Sequence, residues 1–413
     1  MKQFNYNWKR FWVARNGKVN LSDGGYLRDP DTDFGRIFNP DALPFEAIAE
    51  VPCLVLLGEP GIGKSNEIDK EWQLTSQQSN ETGEVALKFN LRDYQTDIRL
   101  CQEIFEANTV FQNWRKGKGK LYLFLDSLDE GILEIRPLAN LLFSEFRKYP
   151  VERLNLRIAC RTAEWPSILE NGLMELWGEN SVGVYELAPL RRVDVIEAAK
   201  VNGQNPELFS DEVERKGAVP FAIKPITLTF LLNTYSTNKQ LPSTQTDIFV
   251  EGCRRLCDET NESRLGSNRK GQLTSKELLS VAARIAAVTV FCGKNVIYKA
   301  PDLGDEADKE LTIQRLSGGK ESADGNEFEI NEAAIREALS TGLFSAREQN
   351  RLGWSHQSYA EFLAAWYVVQ HGMSLTQIKS LIVHPTDSEG KLITQLSDTV
   401  AWLAGMLPDV FRL

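Results

Sequence analysis

Histidine is scarce in this chain: 413 residues contain three, alongside four methionines and six cysteines. The cysteines, at 53, 101, 160, 253, 257 and 292, are too few and too scattered for the disulfide framework of a small secreted domain. Cys253 and Cys257 stand one helical turn apart with no further Cys or His nearby, so packing rather than zinc is expected of them. Long hydrophobic runs are missing too. The longest, 285–292, is far short of the ~20 residues that cross a bilayer. The opening MKQFNYNWKRFWVARNG has neither an apolar core nor a small-residue cleavage site, which argues against a signal peptide. Basic charge is in deficit: 47 Lys and Arg face 57 Asp and Glu, for a net charge of −10. A protein held on nucleic acid by counterion release, or on an anionic membrane, would carry the opposite balance. No repeat at solenoid periods occurs. These absences predict a reduced, cytoplasmic protein with no membrane partner.

What is present is globular: 42% apolar and 9% aromatic residues, over a length that predicts two or three domains. The first fifty residues are crowded with turn pairs, Asn16-Gly17, Asp23-Gly24-Gly25, Asp29-Pro30 and Asn39-Pro40, among which Phe4, Tyr6, Trp8, Phe11 and Trp12 are interleaved. They read as an irregular lead segment, 1–50, packed on something larger. From 51 to 189 short apolar runs (52–57, 85–90, 121–125, 155–160, 183–187) alternate with helix-compatible stretches (64–76, 96–115, 131–148, 165–177). Such alternation predicts an α/β domain with a parallel, doubly wound sheet.

Beyond 190 the strand signal fades. Helical patterns occupy 190–202, 207–216, 225–235, 245–261, 274–291 and 331–340, and the polar run 317–326 reads as a mobile loop. Two short strands, 343–347 and 351–355, then precede a helix at 357–370, as in a winged-helix-like unit. The last stretch, 392–413, is amphipathic and is expected to be the start of a further helical region cut short.

Gly58-Glu59-Pro60-Gly61-Ile62-Gly63-Lys64-Ser65 matches GxxxxGK[ST] in full, between an apolar strand and a helix-compatible segment. Glycines at these positions let successive backbone N–H groups turn inward on phosphate oxygens, and the helix that starts at Lys64 adds its positive end. Lys64 would reach the β- and γ-phosphates, Ser65 would ligate Mg²⁺, and Asn66 closes the candidate nucleotide-binding run. A second acidic site follows the run 121–125, at Asp126-Ser127-Leu128-Asp129-Glu130. A carboxylate at the end of a buried strand is costly unless compensated, and hydrated Mg²⁺ beside the phosphates would compensate Asp126. Asp129 or Glu130 would orient or deprotonate the attacking water. A plain helix N-terminus capped by Asp126 or Ser127 also accounts for the pattern, and both readings can hold together. Arg161, at the end of the fourth run, would sense the γ-phosphate or stabilise transferring charge; an ion pair with Glu164 or another carboxylate is the bland alternative.

LYLFLDSLDE (121–130) resembles the NACHT form of the Walker B strand, in which the metal Asp is followed by a small residue and then two acidic ones. Ala159-Cys160-Arg161-Thr162 resembles the family's sensor-1 arginine position. KPITLTFLL (224–232) resembles its proline-headed helix, and WSHQSYAEFLAA (354–365) its winged-helix signature. Together these motifs, spanning about 50–370, make the chain similar to the NACHT group of STAND-class P-loop NTPases.

The resemblance implies a P-loop NTPase core with a parallel, RecA/AAA-like sheet at 51–189, a small helical domain at 190–262, a winged-helix domain at 263–372 and a further helical region at 373–413. It implies ATP or ADP with Mg²⁺ as cofactors, with His356 reaching the bound ADP. Pro225 would line the pocket through its backbone, although heading a helix explains this proline by itself. Residues 36–40 are candidates for the adenine slot.

The implied function is a slow, regulatory ATPase switch, closed with ADP and open with ATP. An unidentified trigger such as a phage protein would release it to self-associate and activate an effector domain or protein, in prokaryotic anti-phage defence. An AAA-type motor that remodels a protein partner is the first alternative, and a nucleotide-binding module with little hydrolysis the second. Lys9, Arg10 and Arg15 among the leading aromatics offer a weak nucleic-acid pattern that the net charge outweighs. The guanine-specific NKxD pattern is absent, since Asn238-Lys239 is not followed by Asp two residues on.

Overall fold

The computed structural model describes residues 6, 8–15, 17–82, 84–258, 273–294, 296–299, 311–348, 351–384 and 391–412. Phe4, Asn16, the end of the helix expected at 245–261 and the turn residues Gln349 and Asn350 lie outside them. The chain divides into two compact units, Met1–Asp211 with Ala222–Leu232, and Glu212–Phe221 with Asn233–Leu413.

The first unit is built on a seven-stranded sheet in the order β2-β1-β7-β3-β6-β5-β4. The five strands foreseen as apolar runs form its parallel part: β3 (Cys53–Gly58), β4 (Val85–Asn90), β5 (Leu121–Asp126), β6 (Leu154–Arg161) and β7 (Val182–Leu187). Every residue of β3 is buried, as a central strand covered on both faces requires. Cys53, Val55 and Leu57 pack into one layer with Leu123, Leu125, Leu156 and Ile158. Leu54 and Leu56 pack into the opposite layer with Phe124 and Ala159. The helices Lys64–Thr82, Thr109–Lys116, Leu138–Phe146 and Ser167–Trp177 separate the strands. The α/β class with a mainly parallel sheet is therefore as expected.

The lead segment is not irregular. It supplies β1 (Phe11–Ala14), which pairs antiparallel with β7, and β2 (Ala42–Pro44), which pairs antiparallel with β1 at the sheet edge. Phe11, Trp12 and Val13 are buried there, and burial of that aromatic edge outweighs the turn pairs on either side.

In the second unit the helices Gln245–Cys257, Ser275–Phe291, Glu332–Leu339 and Gln357–Gln370 follow the expected pattern. Cys253 and Cys257 are buried in packing, and burial pushes the Cys257 thiol well up. A four-stranded sheet runs β12-β13-β8-β9, from β8 (Ile297–Tyr298), β9 (Leu311–Thr312), β12 (Phe344–Glu348) and β13 (Arg351–Trp354). The run 317–326 is not a loop. It contains β10 (Lys320–Ala323), which pairs with β11 (Asn326–Glu329) across Asp324 and Gly325, both at positive φ (50° and 81°). An Asp-Gly pair adopting that backbone closes a two-residue hairpin whose twist matches its strands. Glu321 pins the hairpin: its buried carboxylate meets Arg284 at 3.1 Å, the Tyr367 hydroxyl at 3.0 Å and His371 Nε2 at 3.0 Å. No described helix is long and apolar enough to cross a membrane.

Candidate nucleotide site

Strand register brings the candidate residues to one edge of the first unit. Gly58 at the end of β3 lies beside Arg161 at the end of β6, and Asn90 of β4 beside Asp126 of β5. In an open parallel sheet the crevice beyond the carboxyl ends of the strands is where ligands bind. The strand that carries Asp126 is separated from the loop strand by β6, so Arg161 stands between the loop and the acidic group.

The loop turns through Gly61 (φ +73°) and Gly63 (φ +96°), and the helix begins at Lys64. Both glycines are also required by close neighbours. A Cβ on Gly61 would come within 2.4 Å of Ile226 Cγ2, and one on Gly63 within 3.0 Å of Arg10 Nη1 and 3.4 Å of Pro225 Cγ. Lys64 folds back so that its Nζ lies 3.4 Å from the Gly58 carbonyl. Ser65 and Asn66 are exposed in the first turn of the helix. Glu59 pairs with buried Lys224 at 2.5 Å, and the Ile226 N–H faces the Gly61 carbonyl at 3.4 Å. The head of the helix Pro225–Asn238 thus abuts the loop, and the structure brings Pro225 to the site.

Asp126 is buried, and its Oδ1 accepts the Ser127 N–H at 2.8 Å. Ser127 sits at φ +60° and makes no side-chain cap bond, so the helix Leu128–Glu134 is not capped in the way the bland reading required. Asp129 and Glu130, both buried, face Arg161. Asp129 Oδ1 accepts the Arg161 backbone N–H at 3.1 Å and its Oδ2 pairs with Nε at 3.0 Å, while Glu130 Oε1 lies 3.9 Å from Nη2. Next to this group, burial and the Asp129 charge push the Cys160 thiol well up. On β4, burial lowers the Lys88 ammonium below its ordinary value against the opposing pull of Asp126, and Lys88 pairs with Asp69 of the loop helix.

Sequence reasoning missed the role of Arg10. The sequence offers it only as one of three basic residues in a nucleic-acid pattern, yet it is buried, donating to the Ile62 carbonyl at 3.0 Å and the Ala188 carbonyl at 2.7 Å. Lys9 pairs with Asp31 and Arg15 with Glu170, so the three do not form one basic face. In the stretch 36–40, Asn39 is buried and spent on Asn20 and Arg28 of the lead segment itself.

His356 belongs to the second unit, at the N-terminus of the helix Gln357–Gln370. Its Nδ1 accepts the Ser358 N–H at 3.2 Å, with the Ser358 hydroxyl 2.7 Å from the same nitrogen. Tyr359 of the same helix bonds the Pro220 carbonyl and stacks on Phe221.

The strand order, the glycine loop and the acidic strand end define a P-loop NTPase fold. No family model matches the chain, and no curated protein matches it. Among solved structures it is similar to the Aeropyrum pernix ORC2 protein (ADPNP–ADP complexes), at TM-score 0.37 and 12% identity over 80% of this chain and 94% of that one. It is also similar to the Aeropyrum pernix ORC1 protein in complex with DNA (0.37, 13%, 79% and 92%) and to the Thermotoga maritima RuvB Holliday junction branch migration motor (0.32, 13%, 75% and 87%).

Proposed function

We propose that the chain is the nucleotide-switch portion of a NACHT-type STAND NTPase that binds ADP and ATP with Mg²⁺ and hydrolyses ATP slowly. The observation that supports it best is the convergence of the Lys64 loop, Asp126, Asp129, Glu130 and Arg161 at one sheet edge. Backbone N–H groups of the run Gly58 to Ser65 bind the phosphates, and Lys64 neutralises their charge. A buried carboxylate and a helix-start hydroxyl are hard oxygen donors, so Asp126 and Ser65 fit Mg²⁺, which when bound neutralises charge on the phosphate oxygens. Glu130 takes up the proton of the attacking water, and Arg161 stabilises charge on the transferred phosphoryl group.

The switch itself is read from the resemblance. His356 reaches bound ADP and holds the closed state, and Pro225 lines the same nucleotide. An unidentified trigger, a phage protein in the anti-phage setting, releases that state. The protomers then assemble and activate an effector, in the cytoplasm and without membrane or nucleic acid. The AAA-type motor reading uses the same sheet edge and differs in turnover.

The deciding experiment is to denature the purified protein and identify released nucleotide by chromatography. About one ADP per chain, lowered by His356→Ala, is the expected result. An empty protein that turns over added ATP rapidly supports the motor instead, and one that neither binds nor hydrolyses ATP sinks both.

A further inference from the structure

The phosphate loop has two sides, and its outer side is held at two consecutive carbonyls. The Gly61 carbonyl faces the Ile226 N–H at 3.4 Å, and the Ile62 carbonyl accepts from Arg10 Nη1 at 3.0 Å. A trans peptide is planar, so its N–H points opposite to its carbonyl. Fixing the Ile62 carbonyl on Arg10 therefore fixes the Gly63 N–H away from Arg10, across the loop. Gly63 holds φ +96°, and a Cβ there would stand 3.0 Å from Arg10 Nη1, so guanidinium and glycine fit each other closely.

We propose that Arg10 is a positioning residue for nucleotide binding, setting the Gly63 peptide so that its N–H faces the phosphate. This rests on the reading that the loop binds a nucleoside di- or triphosphate.

The second arm of Arg10 is what makes the setting rigid. Nη2 donates to the Ala188 carbonyl at 2.7 Å, just past β7, and Ala188 in turn donates its N–H to the Phe11 carbonyl at 2.9 Å. The lead strand β1, clamped on β7, thus delivers one guanidinium to two carbonyls from different parts of the chain. A planar fork with five donors spans both; a lysine ammonium is a compact point charge on a flexible stem and does not reproduce that geometry. Burial lowers the Arg10 guanidinium below its ordinary value, and the charges of Glu67 on the loop helix and Asp194 oppose that shift. Arg10 touches no phosphate itself. The effect belongs to binding of the nucleotide, before any chemistry.

The test compares the full chain with Arg10→Lys and Arg10→Gln for binding of fluorescent ADP and ATP, for kcat and KM of ATP hydrolysis, and for melting temperature without nucleotide. Losing one oriented N–H contact to a charged phosphate raises Kd and KM about tenfold, with kcat at saturating ATP within about twofold. Variants that fold and bind like the parent overturn the proposal. A parent chain that binds no nucleotide overturns the functional reading instead. Should both variants fail to fold, ¹⁵N-glycine labelling of the unaltered chain decides. Adding ADP should shift the Gly63 amide and slow its exchange at least about tenfold. A Gly63 amide indifferent to ADP, while other loop glycines respond, overturns the proposal.

Discussion

Asp129 grips Arg161 twice, accepting its backbone N–H at 3.1 Å through Oδ1 and pairing with Nε at 3.0 Å through Oδ2. The two acidic residues after Asp126 are therefore not equivalent. Asp129 is committed to holding the end of β6 and aiming the guanidinium, whereas Glu130 stands 3.9 Å from Nη2, farther from the arginine. Sequence alone left either one as the base; the proposed function gives that part to Glu130.

Glu130→Gln should then lower ATP hydrolysis by about 10²–10⁴-fold while leaving ADP and ATP affinity within about twofold, as expected when a proton acceptor is lost without loss of shape. Asp129→Asn should weaken both hydrolysis and thermal stability, because it halves the grip on a partly buried arginine. Steady-state kinetics with equilibrium binding separate the two. A Glu130→Gln chain that still turns over, beside a dead Asp129→Asn chain of normal stability, reverses the assignment.

Asp126 is buried at the end of β5, with Ser127 donating its N–H to one of its oxygens. If it serves Mg²⁺, affinity for ATP in the unaltered chain should fall at least about tenfold when EDTA replaces the metal. Asp126→Asn should weaken that dependence, narrowing the gap between ATP affinity with and without Mg²⁺. A titration in both buffers checks this; a variant as Mg²⁺-dependent as the parent would remove Asp126 from the metal site.

Gly61 meets two constraints at once, a positive φ of 73° and an Ile226 methyl 2.4 Å from where its Cβ would stand. Gly61→Ala should cost stability and nucleotide affinity together. Adding Ile226→Ala removes the closest contact but keeps the residue-226 Cβ at 3.0 Å and the backbone strain, so the double variant should recover part of the loss, with about 1–2 kcal/mol of strain remaining. Full recovery would show that only the clash matters.

The reasons these features were or were not legible differ by residue. A buried parallel strand must be apolar along its length, so CLVLLG and LYLFLD announced themselves, and a phosphate loop must be glycine-rich at fixed spacing. The lead strand FWVA was hidden because four residues among turn pairs give no period to count. The β10–β11 hairpin was hidden by its charges. Its Asp324-Gly325 pair was visible in the sequence, but only the tertiary partners of Glu321 show that an acidic residue in that run is buried. Arg10 was out of reach for a further reason. Nothing local marks an arginine whose hydrogen-bond partners lie 52 and 178 residues away.

The loop helix also carries a pH-sensitive cost. Glu71 is buried there, and burial together with the charges of Glu67 and Glu46 pushes its carboxyl up from 4.5 to about 7, with Lys70 pulling the other way. A raised acid is bound more tightly to its proton in the fold than in the unfolded chain. The stability it confers is therefore complete below about pH 4.5 and is lost as pH rises through about 7. Above that, folding buries a charge beside two like charges. Glu71→Gln keeps the shape and removes the titration. Its melting temperature should match that of the parent near pH 5 and exceed it by about 2–4 °C at pH 8. Differential scanning fluorimetry at the two pH values suffices, and a shift of the same size at both would mean that packing or hydrogen bonding, not ionisation of Glu71, sets the difference.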